Sequence, residues 1–451
     1  MDRRRFLKIA GLAGLSVMAP LGLREGSASQ AKYPGPYWIM VNCGGGWDPT
    51  ITFDPKGGKA EDRSTVNQSY TAGEITSSGK IPHAPTKLVA GGVTAASCGD
   101  FLDAFRDRIM VMNGIDTSTN NHDSGSRTIW SGQLAEGYPS FAALIAAKAL
   151  ETLDLPMAYL SNGGYDATAG LIPLTRVSNT ESIQRLAYPN IRDPNNAKSD
   201  LYHSQATASR IAAAQAARLD AMRSVQTLSS PRSAMSSLFM ARETTGGLAA
   251  LGEALKGKEL VKIDDIPKLA AIPADSRNLV DGAFGLMRQA QIALYAFKSG
   301  VAASANLDTG GFDTHGNSDE QQTSRQMHVL IALEYIFNEL TAMGLADKTY
   351  VLVGSDFGRT PFYNKDDGKD HWNITSMLLS GPKIPTNVVI GATDEGFKPK
   401  TVNTKTLAVD PSGVRIEPRH IHAELRRIAG LTGTDLDTQF PLAGDSLRLF
   451  S

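Results

Sequence analysis

Short apolar runs alternate with longer amphipathic segments along most of the chain. Mostly apolar runs of four to six residues predict strands buried in a sheet, at residues 37–42, 109–113, 157–160, 304–307, 349–354 and 387–390. Apolar positions at helical spacing predict helices at residues 101–106, 138–150, 279–298, 324–343 and 416–429. This alternation predicts an α/β fold in which a mainly parallel sheet is sandwiched by helices.

One segment departs from the alternation. Residues 197–265 include an alanine-rich stretch around 211–218 and give no strand signal, so we expect a helical insertion on the surface of the α/β domain. The domain as a whole is expected to span residues 30–451. Near its C-terminal end, the arginines and histidines of the helix at 416–429 are expected to face solvent.

The first residues resemble an export signal. The string Arg-Arg-Arg-Phe-Leu-Lys at residues 3–8 fits the twin-arginine pattern R-R-x-F-L-K at every fixed position. The apolar stretch that follows, residues 9–23, is too short to span a bilayer stably, and small residues at 27–29 suit a signal peptidase. We therefore expect a signal peptide over residues 1–29, the twin-arginine translocase as a partner, no permanent membrane anchor, and a periplasmic or secreted protein.

The composition excludes several classes of function. The chain has 451 residues, with 45 basic against 46 acidic side chains and a net charge of −1, so it has no basic footprint for nucleic acid. A hydrophobic fraction of 41% is too high for an unstructured polar chain. Cys43 and Cys98 are the two cysteines, so at most one disulfide can form and a structural zinc site of cysteines is excluded.

Polar residues follow several of the predicted strands. Ligands of open α/β sheets bind outside the carboxyl ends of the strands, so these side chains are expected to lie near one another. Carboxylates and imidazoles are ligands for zinc, manganese and related divalent ions. The candidate ligands for one or two divalent ions, taken as zinc, manganese or calcium, are Asp48, Asp313, His315, Asp356 and His371.

Each candidate also has a simpler explanation. Asp48 precedes Pro49 and could cap a turn. Asp356 could cap the segment after its strand, and His371 could be a hydrogen-bonded surface histidine. The remaining histidines without partners nearby in the sequence are expected to be structural: His83, His203, His328, His420 and His422.

A family resemblance rests on several strings that occur together. They are the basic leader at 3–8, Gly-Gly-Trp-Asp at 45–48, Gly-Gly-Phe-Asp-Thr-His at 310–315, Ser-Asp-Phe-Gly-Arg-Thr at 355–360 and Asp-His-Trp-Asn at 370–373. Together they resemble the bacterial family called domain of unknown function 1501. That family is similar to the sulfatase and alkaline-phosphatase superfamily, whose members bind two divalent ions at the strand ends of an α/β sandwich. The resemblance runs from about residue 36 to the C-terminus and is weakest at residues 200–260.

The resemblance implies metal-binding roles for the candidate ligands. Asp48 matches the aspartate that follows the first strand, and Asp313 with His315 matches a later Asp/His pair. Asp356 matches the aspartate of a second Asp-His pair, and His371 matches the last metal-binding histidine.

The resemblance also implies catalytic groups. Residues 123–132 look like the nucleophile segment of alkaline phosphatases, which makes Ser124 the candidate nucleophile, with His122 and Ser126 as alternatives. Arg127 and Arg359 are candidates for clamping a phosphoryl or sulfuryl group through paired hydrogen bonds. The alternative for both arginines is a salt bridge on the loop surface.

Two departures from the superfamily narrow the expected activity. Phe357 stands where the histidine of the second Asp-His pair is expected, so a site with one ion, or none, is also compatible with the sequence. Neither cysteine lies in the C/S-x-P-x-R context of sulfatases, so sulfatase activity is not expected. We therefore expect an exported, metal-dependent hydrolase of phosphate-type or related esters, acting on a small molecule or a polymer. The alternatives are a non-catalytic secreted binding or assembly protein, and an enzyme that transfers phospho groups to a surface polymer.

Overall fold

The computed structural model of the chain describes residues 32–58, 66–153, 155–176, 180–193, 196, 198–227 and 245–450. The predicted signal peptide at residues 1–29 lies outside these residues. Within the described ranges, no helix is both long and apolar enough to cross a membrane. Cys43 and Cys98 are both buried and both free.

A mixed β-sheet organises the described chain. Its eight described strands are β1 (Tyr37–Cys43), β2 (Ile109–Asp116), β3 (Tyr159–Ser161), β4 (Thr175–Arg176), β5 (Ser304–Thr309), β6 (Thr349–Gly354), β7 (Ile374–Ser380) and β8 (Val388–Ile390). Their order across the sheet is β8-β2-β7-β6-β1-β5-β3-β4. Neighbours are parallel except in the two pairs that contain β7, which runs against the other described strands. The predicted mainly parallel sheet is confirmed.

Helices and short ribbons complete the described structure. The helices are α1 (Cys98–Phe105), α2 (His122–Ser131), α3 (Phe141–Leu150), α4 (Thr180–Ala187), α5 (Gln205–Val225), α6 (Thr245–Leu255), α7 (Pro267–Ala270), α8 (Asp281–Ser299), α9 (Ser318–Ala342), α10 (Pro418–Ile428) and α11 (Asp435–Gln439). Short 3-10 turns lie at Pro49–Ile51, Ala72–Glu74, Arg106–Arg108, Ile263–Asp265, Ala274–Val280 and Ala346–Lys348. Two-stranded ribbons pair Thr76–Ser78 with Ile81–His83, Lys87–Ala90 with Val93–Ser97, and Gly358–Arg359 with His371–Trp372. The described part of residues 197–265 contains α5 and α6, while the limits of an insertion remain a prediction.

Both faces of the sheet are covered. On β1, Ile39 and Val41 belong to the apolar core that includes residues of α8 and α9, whereas Trp38 and Met40 belong to the core that includes residues of α3 and α10. Trp38 stacks on Tyr350 of β6, with ring centroids 3.9 Å apart. Because both faces are buried, most strands are continuous apolar runs, which is why they could be predicted. The predicted sandwich is confirmed.

The apolar pattern predicts no strand at Ile374–Ser380, where β7 lies near the middle of the sheet. All seven of its residues are buried, and it pairs antiparallel with β2 on one side and β6 on the other. Thr375, Ser376 and Ser380 interrupt its apolar residues. These hydroxyl side chains hide the signal that the continuous apolar runs provide elsewhere.

The expectation that α10 turns its histidines and arginines to solvent is wrong for both histidines and for Arg426, whereas Arg419 and Arg427 are partly exposed. His420, His422 and Arg426 are all buried. The Nε2 atom of His422 donates a hydrogen bond to the carbonyl oxygen of Ile129 in α2, at 2.8 Å. Helix α2 ends at Gly132 (φ +77°), where a Cβ would lie 2.6 Å from the Cβ of His422. Helix α10 therefore fixes the C-terminal end of α2.

Burial lowers the pKa of His422 to about 4, because the charged imidazole would lose its hydration. In the unfolded chain this side chain takes up a proton near its ordinary pKa of 6.5. Stability should therefore fall as the pH is lowered from 6.5 to 4, by roughly 3 kcal/mol in the free energy of unfolding. A His422→Gln variant should lose less over this range, measured by urea denaturation at several pH values. Equal losses in the two proteins would contradict the assignment.

Candidate metal centre

Several loops meet at the edge of the sheet where the parallel strands end. The loops that follow β2, β5 and β6 leave the sheet at this edge. Because β7 runs in the opposite direction, the loop that precedes it arrives at the same edge. Together these loops supply His122, Asp313, His315, Asp356 and His371. His122 is the first residue of α2, whose N-terminus is capped by the side chain of Asn121.

Three imidazoles surround the carboxylate of Asp313. Its Oδ1 atom lies 3.0 Å from the Nε2 atoms of both His315 and His371. Its Oδ2 atom lies 3.5 Å from the Nε2 atom of His122. The Nε2 atoms of His315 and His371 are themselves 3.1 Å apart. The side chain of Asp313 is 46% exposed, so the group is open to solvent.

The other ring nitrogen of each imidazole contacts an acceptor. These contacts join Nδ1 of His122 to Asp356 Oδ2 (2.5 Å), Nδ1 of His315 to Asp370 Oδ1 (2.8 Å), and Nδ1 of His371 to the carbonyl oxygen of Asn120 (2.8 Å). Carboxylate and carbonyl oxygens only accept hydrogen bonds, so each Nδ1 carries the hydrogen. In a neutral ring, Nε2 then presents a lone pair. All three Nε2 atoms face the carboxylate of Asp313.

This arrangement fits a divalent cation. When the rings of His315 and His371 are neutral, their Nε2 lone pairs and an oxygen of Asp313 repel one another unless a positive charge lies between them. Two nitrogens bound to one tetrahedral zinc at about 2.0–2.1 Å are separated by about 3.3 Å, close to the separation observed here. The described group His122, Asp313 and His371 meets the distances needed for a shared ion. A donor set rich in imidazole suits zinc or manganese better than calcium, which prefers oxygen.

The carboxylates around the imidazoles favour the ionised form. Burial opposes the ionisation of Asp313, but the hydrogen bond from Arg359 and the positive charge of its guanidinium outweigh it and lower the pKa of Asp313 to about 2. The hydrogen bond from His315 lowers the pKa of Asp370. Both groups are therefore negatively charged at neutral pH, which further favours a cation at this point.

The glycine loop after β1 forms hydrogen bonds with Asp356 and Arg359, which contact His122 and Asp313. The backbone N–H groups of Gly45 and Gly46 donate to Asp356 Oδ1 at 3.1 and 2.6 Å. Asp356 is buried, with its second oxygen bound to His122, so it orients that imidazole instead of facing the centre. The predicted role of Asp356 as a direct metal ligand is not supported by these contacts. The carbonyl of Gly46 accepts a hydrogen bond from Nε of Arg359 at 2.8 Å.

The contacts of Arg359 and Arg127 do not support their predicted role of clamping a phosphoryl or sulfuryl group. Arg359 is fully buried and donates to Asp313 Oδ1 (2.7 Å) and to backbone carbonyls, including that of Lys369 (3.0 Å). It therefore holds Asp313 and has no free face for a phosphoryl group. Arg127 donates to the carbonyl of Leu134 at 2.8 Å and lies 3.6 Å from Glu136, which is the surface ion pair named as the alternative.

Asp48 does not join the group around Asp313. Its side chain is 1% exposed, and its Oδ2 atom lies 2.6 Å from the ammonium nitrogen of Lys369. Its Oδ1 atom accepts hydrogen bonds from the N–H and the hydroxyl of Thr50, at 3.0 and 2.6 Å. Asp48 therefore caps the 3-10 turn that begins at Pro49, as its alternative explanation proposed. Its predicted role as a metal ligand is not supported because an ammonium group already neutralises it.

The candidate nucleophile lies in the first turn of α2. The hydroxyl of Ser124 is hydrogen-bonded with the hydroxyl of Thr119 at 2.6 Å and with the carbonyl of Asn121 at 3.3 Å. These contacts hold it near the cap of the helix, two residues beyond His122. No contact between Ser124 and Asp313 is found among the described residues.

Sequence reasoning missed three members of this region. His122 was considered only as an alternative nucleophile, although its position after a strand and at the start of a helix is a usable signal. Asp370 adjoins the candidate His371, and its role follows only once the fold brings His315 beside it. Nothing in the sequence indicates that Lys369 is buried against Asp48, which is 321 positions away.

The mainly parallel sheet with a cluster of imidazoles and carboxylates at its strand ends defines an α/β protein with a candidate metal centre. The chain belongs to the family described as "Protein of unknown function (DUF1501)", whose model matches residues 37–435. The resemblance inferred from the sequence strings is thereby confirmed. A comparison with curated proteins found no match.

Distant matches among solved structures include a lipoteichoic acid synthase, sulfatases and an alkaline phosphatase. The lipoteichoic acid synthase LtaP from Listeria monocytogenes is 11% identical, with a TM-score of 0.34 over 94% of this chain and 80% of that chain. A 2-O GAG sulfatase is 11% identical, with a TM-score of 0.33 over 92% and 73%. A TAB5 alkaline phosphatase mutant with Mg bound is 9% identical, with a TM-score of 0.32 over 80% and 95%. These are distant likenesses, so the chemistry of the centre has to be derived from its own residues.

Gly46 should be indispensable to the glycine loop. Its φ is +87°, and an added Cβ would lie 2.6 Å from the Phe357 ring. We expect Gly46→Ala to lower the free energy of unfolding by more than about 1 kcal/mol. Gly73 has open space around it, so Gly73→Ala should be neutral or slightly stabilising. Urea denaturation of both variants tests this, and a Gly46→Ala protein as stable as Gly73→Ala would contradict it.

Proposed function

We propose that the protein is an exported, metal-dependent hydrolase of phosphate-type or related esters. The observation that supports this is the convergence of three imidazole Nε2 atoms on Asp313, with an acceptor at every Nδ1. Metal-ligating histidines characteristically donate their second N–H to a carboxylate or a carbonyl in this way.

The residues divide into those that would hold an ion and those that orient them. Asp313, His122, His315 and His371 would hold it. A bound divalent ion would neutralise charge on an ester oxygen and lower the pKa of a water molecule. Hydrogen bonds at Nδ1 hold each imidazole in one orientation, and their acceptors are Asp356, Asp370 and the carbonyl of Asn120. Arg359 fixes the carboxylate of Asp313 through a 2.7 Å hydrogen bond.

The nucleophile is proposed to be water. Ser124 is the alternative, but its hydroxyl is hydrogen-bonded with Thr119 and Asn121. The side chains of Asp313 and His315 are 46% and 48% exposed, so both a water molecule and an ester can reach the centre from solvent. Arg359 is buried, so it contributes by holding Asp313 and not by contacting the ester.

Removing a ligand should remove the metal. We expect the purified wild-type protein to contain zinc or manganese by elemental analysis, and to hydrolyse aryl phosphates. Asp313→Ala and His371→Ala should each weaken zinc binding by more than about 100-fold, since loss of even an orienting partner typically costs 10–100-fold. Both variants should lose turnover in parallel with the ion.

Ser124→Ala is the matched control for that experiment. It should keep the ion and most of the turnover, because the proposed nucleophile is water. Loss of turnover with the ion retained would instead assign the attack to Ser124. A wild-type protein without metal, and without turnover after zinc or manganese is added, would contradict the proposed hydrolase and favour a non-catalytic binding or assembly protein.

Export is supported by the twin-arginine string at residues 3–8. Arg3 and Arg4 occupy its two fixed arginine positions, and Arg5 occupies the variable position. We expect an Arg3→Lys/Arg4→Lys variant to remain in the cytoplasm, because the translocase requires the arginine pair. Arg5→Lys should be exported normally. Cell fractionation measures both, and equal export of the two variants would contradict a twin-arginine route.

A further inference from the structure

Helix α9 contributes a fully buried glutamine, Gln322, whose side chain contacts two of the loops at the candidate centre. Its amide nitrogen donates to the carbonyl oxygen of Gly46 at 3.1 Å and to that of Phe312 at 2.8 Å. The same nitrogen lies 3.1 Å from the hydroxyl oxygen of Thr314. The amide oxygen accepts a hydrogen bond from the backbone N–H of Asp48 at 2.9 Å. One uncharged side chain therefore connects the loop after β1 with the loop after β5.

The partners determine the orientation of this amide. Carbonyl oxygens only accept hydrogen bonds, so the nitrogen of Gln322 has to face Gly46 and Phe312. A backbone N–H only donates, so the oxygen has to face Asp48. Because the surroundings are buried, a side chain without an amide would leave backbone groups of both loops without these partners.

The two loops hold different parts of the candidate centre. Both residues that flank Asp313 contact Gln322, so the backbone that carries this carboxylate is held on either side. Gly46 belongs to the glycine loop, where its N–H binds Asp356, and Asp356 binds Nδ1 of His122. Gln322 therefore connects the loop that carries Asp313 with the loop that orients His122.

Arg359 also joins these two loops, but it carries a charge. Its Nε atom donates to the carbonyl of Gly46 at 2.8 Å, and its guanidinium lies 2.7 Å from Asp313 Oδ1. Gln322 contacts only the backbone and one hydroxyl group of the two loops, and its amide is neutral. A substitution of Gln322 by a neutral residue therefore changes the placement of the loops without changing the charge at the centre.

We propose that Gln322 is a positioning residue, which sets the separation between the carboxylate of Asp313 and Nε2 of His122. The closest atoms of these two groups are 3.5 Å apart. This inference rests on the proposed metal-dependent function and adds to it a residue that acts on the ligands without touching an ion. Partners that orient metal ligands typically contribute 10–100-fold to metal affinity.

Gln322→Met tests this role in the full-length mature chain. Methionine is unbranched like glutamine and fills the space, but it donates no hydrogen bond. We expect zinc binding, titrated with zinc chloride, to weaken by about 10–100-fold. The visible spectrum of the protein loaded with cobalt chloride should also change, because it reports the geometry of the ligands. In the metal-free protein, peptides covering residues 43–48 and 310–316 should exchange their amide hydrogens faster than in the wild type.

Gln326→Met is the matched control. Gln326 lies one turn further along α9, is also buried, and donates to the carbonyl of Asp48 at 2.8 Å and to Oε1 of Gln322 at 3.1 Å. Within the described ranges it contacts neither Gly46 nor the residues that flank Asp313. We expect Gln326→Met to lose stability as Gln322→Met does, but to keep the zinc affinity and the cobalt spectrum of the wild type.

The outcomes separate this inference from the proposed function. Unchanged zinc affinity and an unchanged cobalt spectrum in Gln322→Met would overturn the positioning role and leave the metal-dependent hydrolase intact. Equal losses in Gln322→Met and Gln326→Met would also overturn it, because they would reflect a general loss of packing.

A wild-type protein that binds neither zinc nor cobalt would contradict the metal-dependent function itself. Hydrogen exchange of the metal-free proteins would then still decide whether Gln322 holds the two loops, and unchanged exchange in Gln322→Met would overturn that role. If Gln322→Met does not fold, Gln322→Asn replaces it. This side chain is one methylene shorter, so its amide should no longer reach both loops, and the same losses are expected.

Discussion

The close approach of imidazole nitrogens and a carboxylate oxygen at the strand ends is the constraint on which the proposed metal centre depends. Nε2 of His315, Nε2 of His371 and an oxygen of Asp313 lie about 3 Å from one another, and the hydrogen on each Nδ1 is fixed by an acceptor. Positive charge stabilises such a group. Arg359 supplies positive charge to Asp313 from inside the protein, through a 2.7 Å hydrogen bond. The proposed divalent ion would supply further positive charge from the solvent side.

The fold produces this arrangement with one reversed strand. The parallel strands direct their following loops to one edge of the sheet, and His371 reaches the same edge because it precedes the antiparallel strand β7. The glycine loop after β1 then approaches closely enough for Gly45 and Gly46 to bind Asp356. A side chain at either glycine would prevent this contact, since a Cβ would lie within 2.6 Å of Asp313 or Phe357. Orientation of His122 therefore depends on a loop that contains no ligand itself.

Much of the sheet could be predicted from the sequence, because strands buried on both faces are continuous apolar runs. Strand β7 could not, since threonine and serine interrupt its apolar residues. Asp313, His315 and His371 were predicted by their place after or before strands, and the structure brings them together. Asp48 was wrongly grouped with them, because a strand-end position does not reveal that Lys369, far along the chain, neutralises the carboxylate. The burial of Arg359 was hidden for a related reason: apart from Asp313, its partners are backbone carbonyls, which every sequence contains.

The ribbon between Gly358–Arg359 and His371–Trp372 also bears on how related chains could differ from one another. It closes the loop at residues 360–370, whose two ends both lie at the centre, while Phe362 within this loop is 51% exposed. The exposed side chain of Phe362 can be exchanged while the two ends of this loop keep the same anchor points. Under the proposed hydrolase function, related chains could thus acquire new preferences for the group attached to an ester, with the imidazoles and their supporting carboxylates left unaltered.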